Sequence, residues 1–338
     1  MTISDLGEFG LIEAIAAALP RGDRTIVGIG DDAAVLTAPD ARVVATTDLL
    51  VEGRHFRRDW SGPADIGAKA AAQNLADVAA MGAIPVALLV GFAAPGDVAV
   101  AWARDLMAGL ADECARAGAT VVGGDVSGAD AIVLAITALG DLVGRDPVTR
   151  SGARPGDVLA YAGVLGESAA GLALLEAGLT EPAALIAAHR RPAPRYAAGP
   201  EAAALGATAM IDVSDGLLAD AGHLARASGV QIDIATVRLP GHPGLAAAAA
   251  ALGGASTAGR DDPARRDDPT GGDDPAGRDA ALDWMLTGGE DHALAATFPP
   301  GRELPSYWIV IGQVSEGQGV LVNGNRVTGR AGWKHFSD

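Results

Sequence analysis

The chain has 338 residues, a formal net charge of −17 and one cysteine, Cys114. So acidic a chain excludes a nucleic-acid-binding surface, which needs clustered basic side chains. A single cysteine excludes a disulfide framework, and the apolar stretches are interrupted by glycine or proline before they reach the length of a membrane span. Because the first residues lack the basic region of a signal peptide, we expect a cytoplasmic protein with no membrane partner, long enough for two domains.

Short β-rich runs alternate with two alanine-rich helices in the first half of the chain. The helices are predicted near Ile66 to Met81 and Val98 to Ala117, and their amphipathic pattern is that of a layer covering one face of a sheet. The strands are predicted at Thr25 to Ile29, Val43 to Thr47, Val86 to Val90, Thr120 to Val122 and Ala131 to Ala138.

A polar stretch from Val143 to Arg154, punctuated by glycine and proline, predicts a boundary between two domains at 1–145 and 146–338. The second domain is predicted to mix strands and helices. Its helices are expected at Ser168 to Ala177, Ala183 to Arg190, Arg195 to Leu205 and Leu217 to Ser228. Its strands are expected at Asp157 to Ala162, Ala209 to Asp212, Gln231 to Ile234, Ala293 to Phe298, Trp308 to Gly312 and Val320 to Val322.

One segment of the second domain has low complexity. Residues 261–278 are three six-residue units, DDPARR, DDPTGG and DDPAGR. Because the units contain proline and no apolar residue larger than alanine, we predict a disordered insertion at about 254–279. A calcium-binding repeat is the alternative, but a proline after each aspartate pair fits no standard calcium loop.

Acidic residues recur beside small residues in the motifs GIGDDAAV, TTDLLVEGRHF, NLADVAAMG, GGDVSG, IDVSDG and GGEDHAL. Crowded carboxylates repel one another and are stable only when protons or hard cations compensate their charge. An oxygen-rich set with few histidines suits magnesium, calcium or manganese, and magnesium usually completes its coordination with waters and substrate phosphates. The motifs therefore predict a nucleotide phosphate site that uses magnesium.

Each of these motifs alone could be a turn, since aspartate and glycine both favour turns. Asp77 is different, because it lies among apolar residues of a predicted helix with Asn74 on the same face. GIGDDAAV also mimics a dinucleotide fingerprint, but a strand is predicted after it where that fingerprint requires a helix. Neither Lys69 nor Lys334 has the setting of a P-loop or protein-kinase lysine, so a polyphosphate would be held by metal ions, backbone N–H groups and arginines.

In this order and at these distances, the motifs resemble those of thiamine-monophosphate kinases, as do RSGARPGD, GVLGESAAGLALL and the terminal GW. The resemblance covers nearly the whole chain outside 254–279. It implies an α+β, two-domain, aminoimidazole-ribonucleotide-synthetase-like fold with mixed sheets each covered by helices, and a homodimer formed by the N-terminal domains. It also implies direct in-line transfer of the γ-phosphate of ATP to thiamine monophosphate, with several Mg2+ ions and no general base.

Two alternatives remain open at this point. A selenophosphate synthetase or a purine-biosynthesis ligase of the same superfamily would share the ATP-binding half. The former usually carries a reactive N-terminal cysteine or selenocysteine, which residues 1–24 lack. A non-catalytic acidic metal-binding protein is the alternative from another class. ATP hydrolysis that depends on thiamine monophosphate would distinguish a thiamine-monophosphate kinase from these alternatives.

Carried over residue by residue, the resemblance implies three groups of functional positions. The metal-binding positions are Asp31, Thr46, Thr47, Asp48, Asp77, Asp125, Asp212 and Asp215. The positions that bind ATP are Gly124, Asp125, Arg150 and Ser214, and those that face thiamine monophosphate are His55, Glu290 and Trp333. Trp333 could stack on the cationic thiazolium ring. Met107 stands where many relatives have an aromatic residue near the adenine.

Overall fold

The computed structural model of the chain describes residues 2–17, 19–20, 22–27, 29, 34–258, 280–327 and 332. Two predicted site residues, Asp31 and Trp333, lie outside these ranges, and so do residues 259–279 of the predicted insertion. Among the helices of the described ranges, none has both the length and the apolar character needed to cross a membrane.

The chain begins with a helix that the sequence patterns did not predict, α1 (Ile3–Ala16), followed by a small antiparallel sheet of β1 (Thr25–Val27) and β2 (Val35–Leu36). Thr2 and Asp5 form a capping box at the start of α1. The Thr2 hydroxyl accepts the Asp5 N–H at 3.2 Å, and the Asp5 carboxylate accepts the Thr2 N–H at 2.8 Å. This pairing satisfies backbone donors that a helix start leaves open, so the sequence TISD was a usable signal for α1.

A four-stranded sheet and two long helices make up most of the first half, as predicted. The elements are β3 (Val44–Val51), α2 (Pro63–Ala80), β4 (Ile84–Ala94), α3 (Val100–Ala117), β5 (Thr120–Gly128) and β6 (Val133–Asp141). The strand order is β3-β6-β4-β5, and only the β4–β5 pair is parallel. Alternate side chains of β6, such as Ile136, are buried in the core with α2 and α3, whereas Leu49 on the opposite face of β3 is exposed.

The second half is built on a seven-stranded mixed sheet, ordered β13-β12-β9-β11-β7-β10-β8. Its strands are β7 (Val158–Ala162), β8 (Ala209–Val213), β9 (Gln231–Ile234), β10 (Ala293–Phe298), β11 (Trp308–Ser315), β12 (Gly319–Val322) and β13 (Asn325–Arg326). Its helices are α4 (Glu167–Glu176), α5 (Ala183–Arg190), α6 (Ala198–Ala204), α7 (Leu217–Ser228), α8 (Pro243–Ala258) and α9 (Ala280–Thr287), with a short 3-10 turn at Thr236–Arg238. Most bounds agree with the predicted ones to within three residues.

The predicted first residue of the disordered insertion, residue 254, was wrong. Helix α8 continues through Ala258, so residues 254–258 are helical. The reason is local composition, because alanine has the best helix propensity and α8 is rich in it. The rest of the predicted insertion, 259–279, lies outside the described residues.

The two sheets share one hydrophobic core through α2. Buried residues of α2, including Leu75 and Val78, belong to the same packed cluster as Met210 of β8 and Phe298 of β10. Phe298 also packs edge to face on Trp308, with ring centroids 5.2 Å apart. Because α2 lies between the sheets, its polar residues face acidic residues of the second half.

Helices α2 and α3 approach each other closely enough to exclude side chains at two glycines. A Cβ on Gly67 would lie 1.9 Å from the carbonyl oxygen of Leu106, and a Cβ on Gly109 would lie 1.9 Å from the carbonyl oxygen of Ala64. Both contacts are with backbone atoms of the facing helix, which cannot move away cheaply. The two glycines therefore fix the position of α2, which carries Asn74 and Asp77.

Gly67→Ala is expected to lower the melting temperature by several degrees. Overpacking of this kind costs about 1–3 kcal/mol, and each kcal/mol corresponds to about 2–4 °C in chains of comparable size. Gly222→Ala in α7 is the matched control, because a Cβ there meets only a Val320 methyl at 4.0 Å and alanine favours the helix. Calorimetry of both variants checks this, and equal melting temperatures would contradict the packing argument.

Candidate active site

The first wall of the site comes from β3 and α2. Because side chains alternate along a strand, Thr46 and Asp48 share the face of β3 that packs on α2. The Thr46 hydroxyl donates to the Asp77 carboxylate at 2.9 Å, and the Asp48 N–H donates to the Asn74 side-chain oxygen at 3.0 Å. Asn74 is itself held by a bond from its side-chain nitrogen to the carbonyl of Ala70 at 3.0 Å. The predicted pairing of Asn74 and Asp77 on one helix face is confirmed.

The second wall comes from β8 and the residue that precedes β10. Asp212 is almost fully buried, and its carboxylate lies 3.2 Å from Nδ1 of His292. Burial, the charge of Asp212 and the charge of Asp48 together raise the pKa of Asp77 to about 7. The hydrogen bond from Thr46 acts in the opposite direction and is weaker. Asp48, Asp77 and Asp212 therefore form one acidic cluster that joins the two halves of the chain.

His292 supplies part of the positive charge that this cluster lacks. Burial alone would lower the pKa of His292, but its bond to Asp212 and the charges of Asp212 and Asp77 raise it above its ordinary value. The Nε2 atom of His292 is buried and has no hydrogen-bond partner among the described residues. The sequence analysis missed His292, although it directly follows the acidic pair of GGEDHAL.

The acidic cluster fits a hard cation such as Mg2+. Its donors are carboxylate oxygens with a threonine hydroxyl beside them, the ligand type that magnesium prefers. Burial first, and then repulsion from Asp212 and Asp48, raises the pKa of Asp77 to about 7, and a bound cation would offset that repulsion.

A second acidic group lies where β8 leads into α7. Ligand atoms of Asp215, Asp220 and His223 all lie within 4.8 Å of one another. One oxygen of Asp220 accepts the N–H groups of Asp215 at 3.1 Å and Gly216 at 3.0 Å, which holds the predicted Asp215 in place. Burial, Asp212 and Asp215 together raise the pKa of Asp220 to about 7.

The predicted ATP-binding residue Arg150 lies near this second group. Burial lowers the pKa of His223, and the charges of Arg226 and Arg150 lower it further. Asp220 and His223 were missed by the sequence analysis. An acidic residue in the first turn of a helix is a recognised signal, since it complements the helix dipole, and Asp220 has that position in α7.

Glu290 lies in a backbone conformation that non-glycine residues rarely adopt. Its φ is +66°, and that of His292 is +53°. The loop is fixed by N–H donations from Glu290 to the carbonyl of Ser214 at 2.8 Å and from His292 to the carbonyl of Val213 at 3.0 Å. The structure thus brings together Glu290 and Ser214, which the sequence analysis assigned to the two substrates.

The Glu290 carboxylate faces two basic side chains. Oε1 lies 3.0 Å from the Lys69 amino group, and Oε2 lies 3.6 Å from Nδ1 of His189. Burial would raise the pKa of Glu290, but the charges of Lys69 and His189 together with the Lys69 bond hold it below its ordinary value. Lys69 also donates to the carbonyl oxygen of His55 at 3.3 Å. Both described residues predicted to face thiamine monophosphate therefore contact Lys69.

His55 is held in the turn after β3 by its own side chain. Nδ1 of His55 accepts the Val51 N–H at 3.0 Å. A neutral histidine that accepts through Nδ1 carries its proton on Nε2.

Asp291, which follows Glu290 in the same loop, accepts backbone hydrogen bonds at the start of α4. Its carboxylate accepts the N–H groups of Gly166 at 2.5 Å and Ser168 at 2.8 Å, at the start of α4. Burial raises the pKa of Asp291 to about 7, and the Glu167 charge also raises it, while the two backbone bonds act in the opposite direction. Sequence reasoning had grouped Asp291 with Glu290 in one acidic motif.

Asp291→Asn is expected to change how stability depends on pH. The folded pKa of about 7 lies above the ordinary aspartate value of about 3.9, so the native state holds the proton more tightly. The contribution of this proton to stability is full below about pH 4 and is lost as the pH rises through about 7. The stability of the wild type relative to the variant should fall across that window.

Thermal melts from pH 4 to pH 8 without added metal check this dependence. Asp112→Asn, an exposed substitution on α3, should keep the wild-type profile. Parallel profiles for the wild type and Asp291→Asn would contradict the assignment.

Two predicted metal ligands are not brought to the acidic cluster. Thr47 lies on the opposite face of β3, where its hydroxyl donates to the carbonyl of Ile136 at 2.9 Å, so its side chain does not face the cluster and its assignment as a metal ligand stays a prediction. Neighbouring residues of a strand point to opposite faces, which separates Thr47 from Thr46 and Asp48. The carboxylate of Asp125 is exposed and accepts the Ser127 hydroxyl at 3.0 Å.

Asp125 and Gly124 lie on β5, at the far edge of the first sheet from Asp48. The register runs from Asp48 to Ile136, Val90 and Gly124 across three strand spacings, about 14 Å. A Cβ on Gly124 would lie 1.9 Å from the carbonyl oxygen of Val90, so only glycine fits there. Met107 and Gly124 line the same cavity of about 70 Å³.

A larger cavity of about 410 Å³ lies beside the Glu290 loop, between the start of α2 and helix α5. Asp65, Glu167, Arg190, Arg191 and Asp291 contribute its polar lining. The buried Nε atom of Arg190 has no hydrogen-bond partner among the described residues. A cavity of this size accommodates a small organic molecule.

The fold is that of a recognised class of two-domain proteins. The family model of the AIR synthase related protein, N-terminal domain, matches residues 30–142, and the model of its C-terminal domain matches residues 154–252. The predicted α+β, two-domain, aminoimidazole-ribonucleotide-synthetase-like fold is confirmed.

Similarity to characterised proteins narrows this class to one family. The chain is 46% identical to the thiamine-monophosphate kinase of Mycobacterium tuberculosis, over 100% of this chain and 94% of that protein. It matches the crystal structure of thiamine monophosphate kinase from Aquifex aeolicus with a TM-score of 0.73 and 33% identity, covering 97% of this chain and 99% of that one. The chain belongs to the thiamine-monophosphate kinase family.

A ligand-bound relative is equally similar. The structure of AaThiL complexed with AMPPCP and TMP matches with a TM-score of 0.76 and 35% identity, covering 99% of this chain and 99% of that one. The predicted family is therefore confirmed by sequence and by fold.

Proposed function

We propose that this protein transfers the γ-phosphate of ATP to thiamine monophosphate, giving ADP and thiamine diphosphate. The observation that carries the proposal is the acidic cluster of Asp48, Asp77 and Asp212, which both halves of the chain build beside the Glu290 loop. The relative solved with AMPPCP, an analogue of ATP, and TMP supports both substrates. The selenophosphate synthetase and purine ligase alternatives have no comparable support.

Magnesium is the cation that we assign to the site. Asp48, Asp77, Asp212 and Asp215 would hold it, with the Thr46 hydroxyl beside them. Asp31 and Asp125 remain proposed ligands from family resemblance alone. When bound, Mg2+ neutralises charge on the phosphates and aligns the donor with the acceptor.

The chain's own residues have a positioning task in this reaction. The acceptor is a phosphate monoester with a second pKa of about 6, so it is already an anionic nucleophile at neutral pH. No general base is needed, and we assign no catalytic base to His55 or His292. His292 places a positive charge beside the acidic cluster, where it is hydrogen-bonded to the Asp212 carboxylate. Asn74 holds the backbone of Asp48 in place.

The two substrates are assigned to neighbouring regions. Gly124, Asp125, Arg150 and Ser214 are proposed to bind ATP, and Met107 lines the cavity beside Gly124. His55 and Glu290 are proposed to bind thiamine monophosphate, together with Trp333 from outside the described residues. The 410 Å³ cavity beside the Glu290 loop supports a small-molecule acceptor in this region.

We propose a cytoplasmic homodimer that pairs the outer faces of the two β3-β6-β4-β5 sheets. The face opposite α2 and α3 has no covering layer among the described residues, and Leu49 is 55% exposed on it. Thr47 and Thr137 join across this face, with their hydroxyl oxygens 3.3 Å apart. A sheet face with apolar side chains is stable in water only when another surface covers it.

We keep 1–145 and 146–338 as the proposed domain bounds, with a dispensable insertion around 259–279.

Labelled ATP tests direct transfer. With ATP carrying a radioactive γ-phosphate, the label should appear in the terminal phosphate of thiamine diphosphate. It should be absent from the protein when the acceptor is left out. Labelled protein formed without acceptor, and discharged by adding thiamine monophosphate, would replace in-line transfer with a phosphoenzyme route.

A further inference from the structure

Lys69 is the only lysine among the described residues, and it is buried. Its side chain is 3% exposed and lies on α2, in the first half of the chain. Its amino group contacts the Glu290 carboxylate at 3.0 Å and the His55 carbonyl oxygen at 3.3 Å. One buried ammonium group therefore ties together two segments that belong to different sheets.

Burying this lysine is costly, and so is the conformation of its partner. Removing an ammonium group from water is strongly unfavourable unless a counter-charge and hydrogen bonds compensate. Glu290 is held at φ +66°, a region that is unfavourable for a residue with a side chain. A contact that combines a buried charge with an unfavourable backbone conformation holds the two residues in one particular geometry. Backbone strain of this kind is concentrated at functional sites.

Lys69 is the cation that Glu290 depends on. His189, the other basic neighbour, lies 3.6 Å from Glu290 and 3.1 Å from the Ser168 hydroxyl. Burial, and then the Lys69 charge, lowers the pKa of His189 to about 4, so His189 is neutral at physiological pH. Without Lys69, His189 at 3.6 Å would be the basic side chain left beside the Glu290 oxygens among the described residues.

We propose that Lys69 is a positioning residue for the phosphate acceptor, holding Glu290 and the His55 turn at a fixed separation across the junction between the two sheets. The proposal rests on the proposed function, since it assigns a task within the acceptor site. The Lys69 amino group is engaged by Glu290 and by the His55 carbonyl oxygen, so its task is to position these groups rather than to bind phosphate. It acts through Glu290 and through the backbone of His55, so its loss affects acceptor binding far more than ATP binding.

Steady-state kinetics of Lys69→Met and Lys69→Arg test this role, with ATP and thiamine monophosphate varied separately. Lys69→Met is expected to raise KM for thiamine monophosphate about tenfold or more, tenfold corresponding to about 1.4 kcal/mol. KM for ATP should stay within about twofold. Lys69→Arg keeps the charge and should recover part of the loss, although the bulkier guanidinium will not restore it fully.

Arg116→Met is the matched control for a purely structural ion pair. Arg116 pairs with the buried Glu113 at 2.7 Å within α3, away from the acceptor site. Its loss should lower the melting temperature and leave both KM values unchanged. If Lys69→Met behaves in the same way, Lys69 has only a structural role and the proposal is overturned.

A double-substitution cycle with Glu290→Gln gives the second measurement. If Lys69 acts through Glu290, the effects of the two substitutions on KM for thiamine monophosphate will not add. Additive effects, or equal rises in both KM values, overturn the proposal. Should Lys69→Met fail to fold, Lys69→Arg and Glu290→Gln with their double variant carry the same comparison. A wild-type protein that does not turn over thiamine monophosphate contradicts the proposed function itself, which distinguishes the two failures.

Discussion

Asp48→Asn is expected to lower turnover by about 10³-fold while raising the melting temperature of the metal-free protein. Asp48 is one of the charges that raise the pKa of Asp77, so its removal relieves repulsion inside the acidic cluster. The fold should persist, because the hydrogen bond to the Asn74 side-chain oxygen is donated by the backbone N–H of residue 48 and not by its side chain. Magnesium together with ATP should stabilise the wild type by mass action and stabilise the variant much less.

Melting curves with and without magnesium and ATP, beside turnover measurements, check this prediction. Asp112→Asn removes the same charge from an exposed position on α3 and should match the wild type in both. Magnesium-dependent turnover that is unchanged in Asp48→Asn would remove Asp48 from the site. A fall in the metal-free melting temperature would show that the cluster is not under repulsion.

Leu49→Asp is expected to convert the proposed dimer to a monomer. Leu49 lies on the uncovered face of β3 and is 55% exposed, so a carboxylate there would be buried against an apolar surface on dimerisation. An unpaired buried charge costs several kcal/mol, enough to raise the dimer dissociation constant by three orders of magnitude or more, on the order of 4 kcal/mol. The monomer itself should fold normally, because the substituted side chain faces solvent in it.

Sedimentation of the wild type and two variants checks this prediction. The wild type should sediment at twice the chain mass of 33.7 kDa and Leu49→Asp at that mass. Val237→Asp places the same charge at an apolar side chain that is 89% exposed in the second half, and it should remain dimeric. A monomeric wild type would contradict the proposed dimer, and a dimeric Leu49→Asp would place its interface elsewhere.

Local patterns predicted those features of the site that depend on one element. The spacing of Asn74 and Asp77 within an apolar helical run was enough to place both on one face of α2, and the structure confirms it. The alternation of side chains along a strand likewise places the Thr47 side chain on the opposite face from those of Thr46 and Asp48, since three consecutive strand residues cannot share a face.

Features that depend on how elements pack were not accessible from the sequence. Asp212 joins Asp77 only because α2 packs against β8, a contact between segments more than a hundred residues apart. Lys69 gave no signal for the same reason, since its partner Glu290 is brought to it by the second sheet. Helix α8 was missed because an alanine-rich segment has little amphipathic pattern to reveal a buried face.

An acceptor panel tests the central claim most directly. ADP formation from ATP and magnesium is measured with thiamine monophosphate, thiamine and selenide as separate acceptors, and the products are identified by chromatography. Thiamine monophosphate alone should support turnover, with one thiamine diphosphate formed for each ADP. Turnover with thiamine or selenide and none with thiamine monophosphate would contradict the proposed function, and so would ADP formation that is independent of any acceptor.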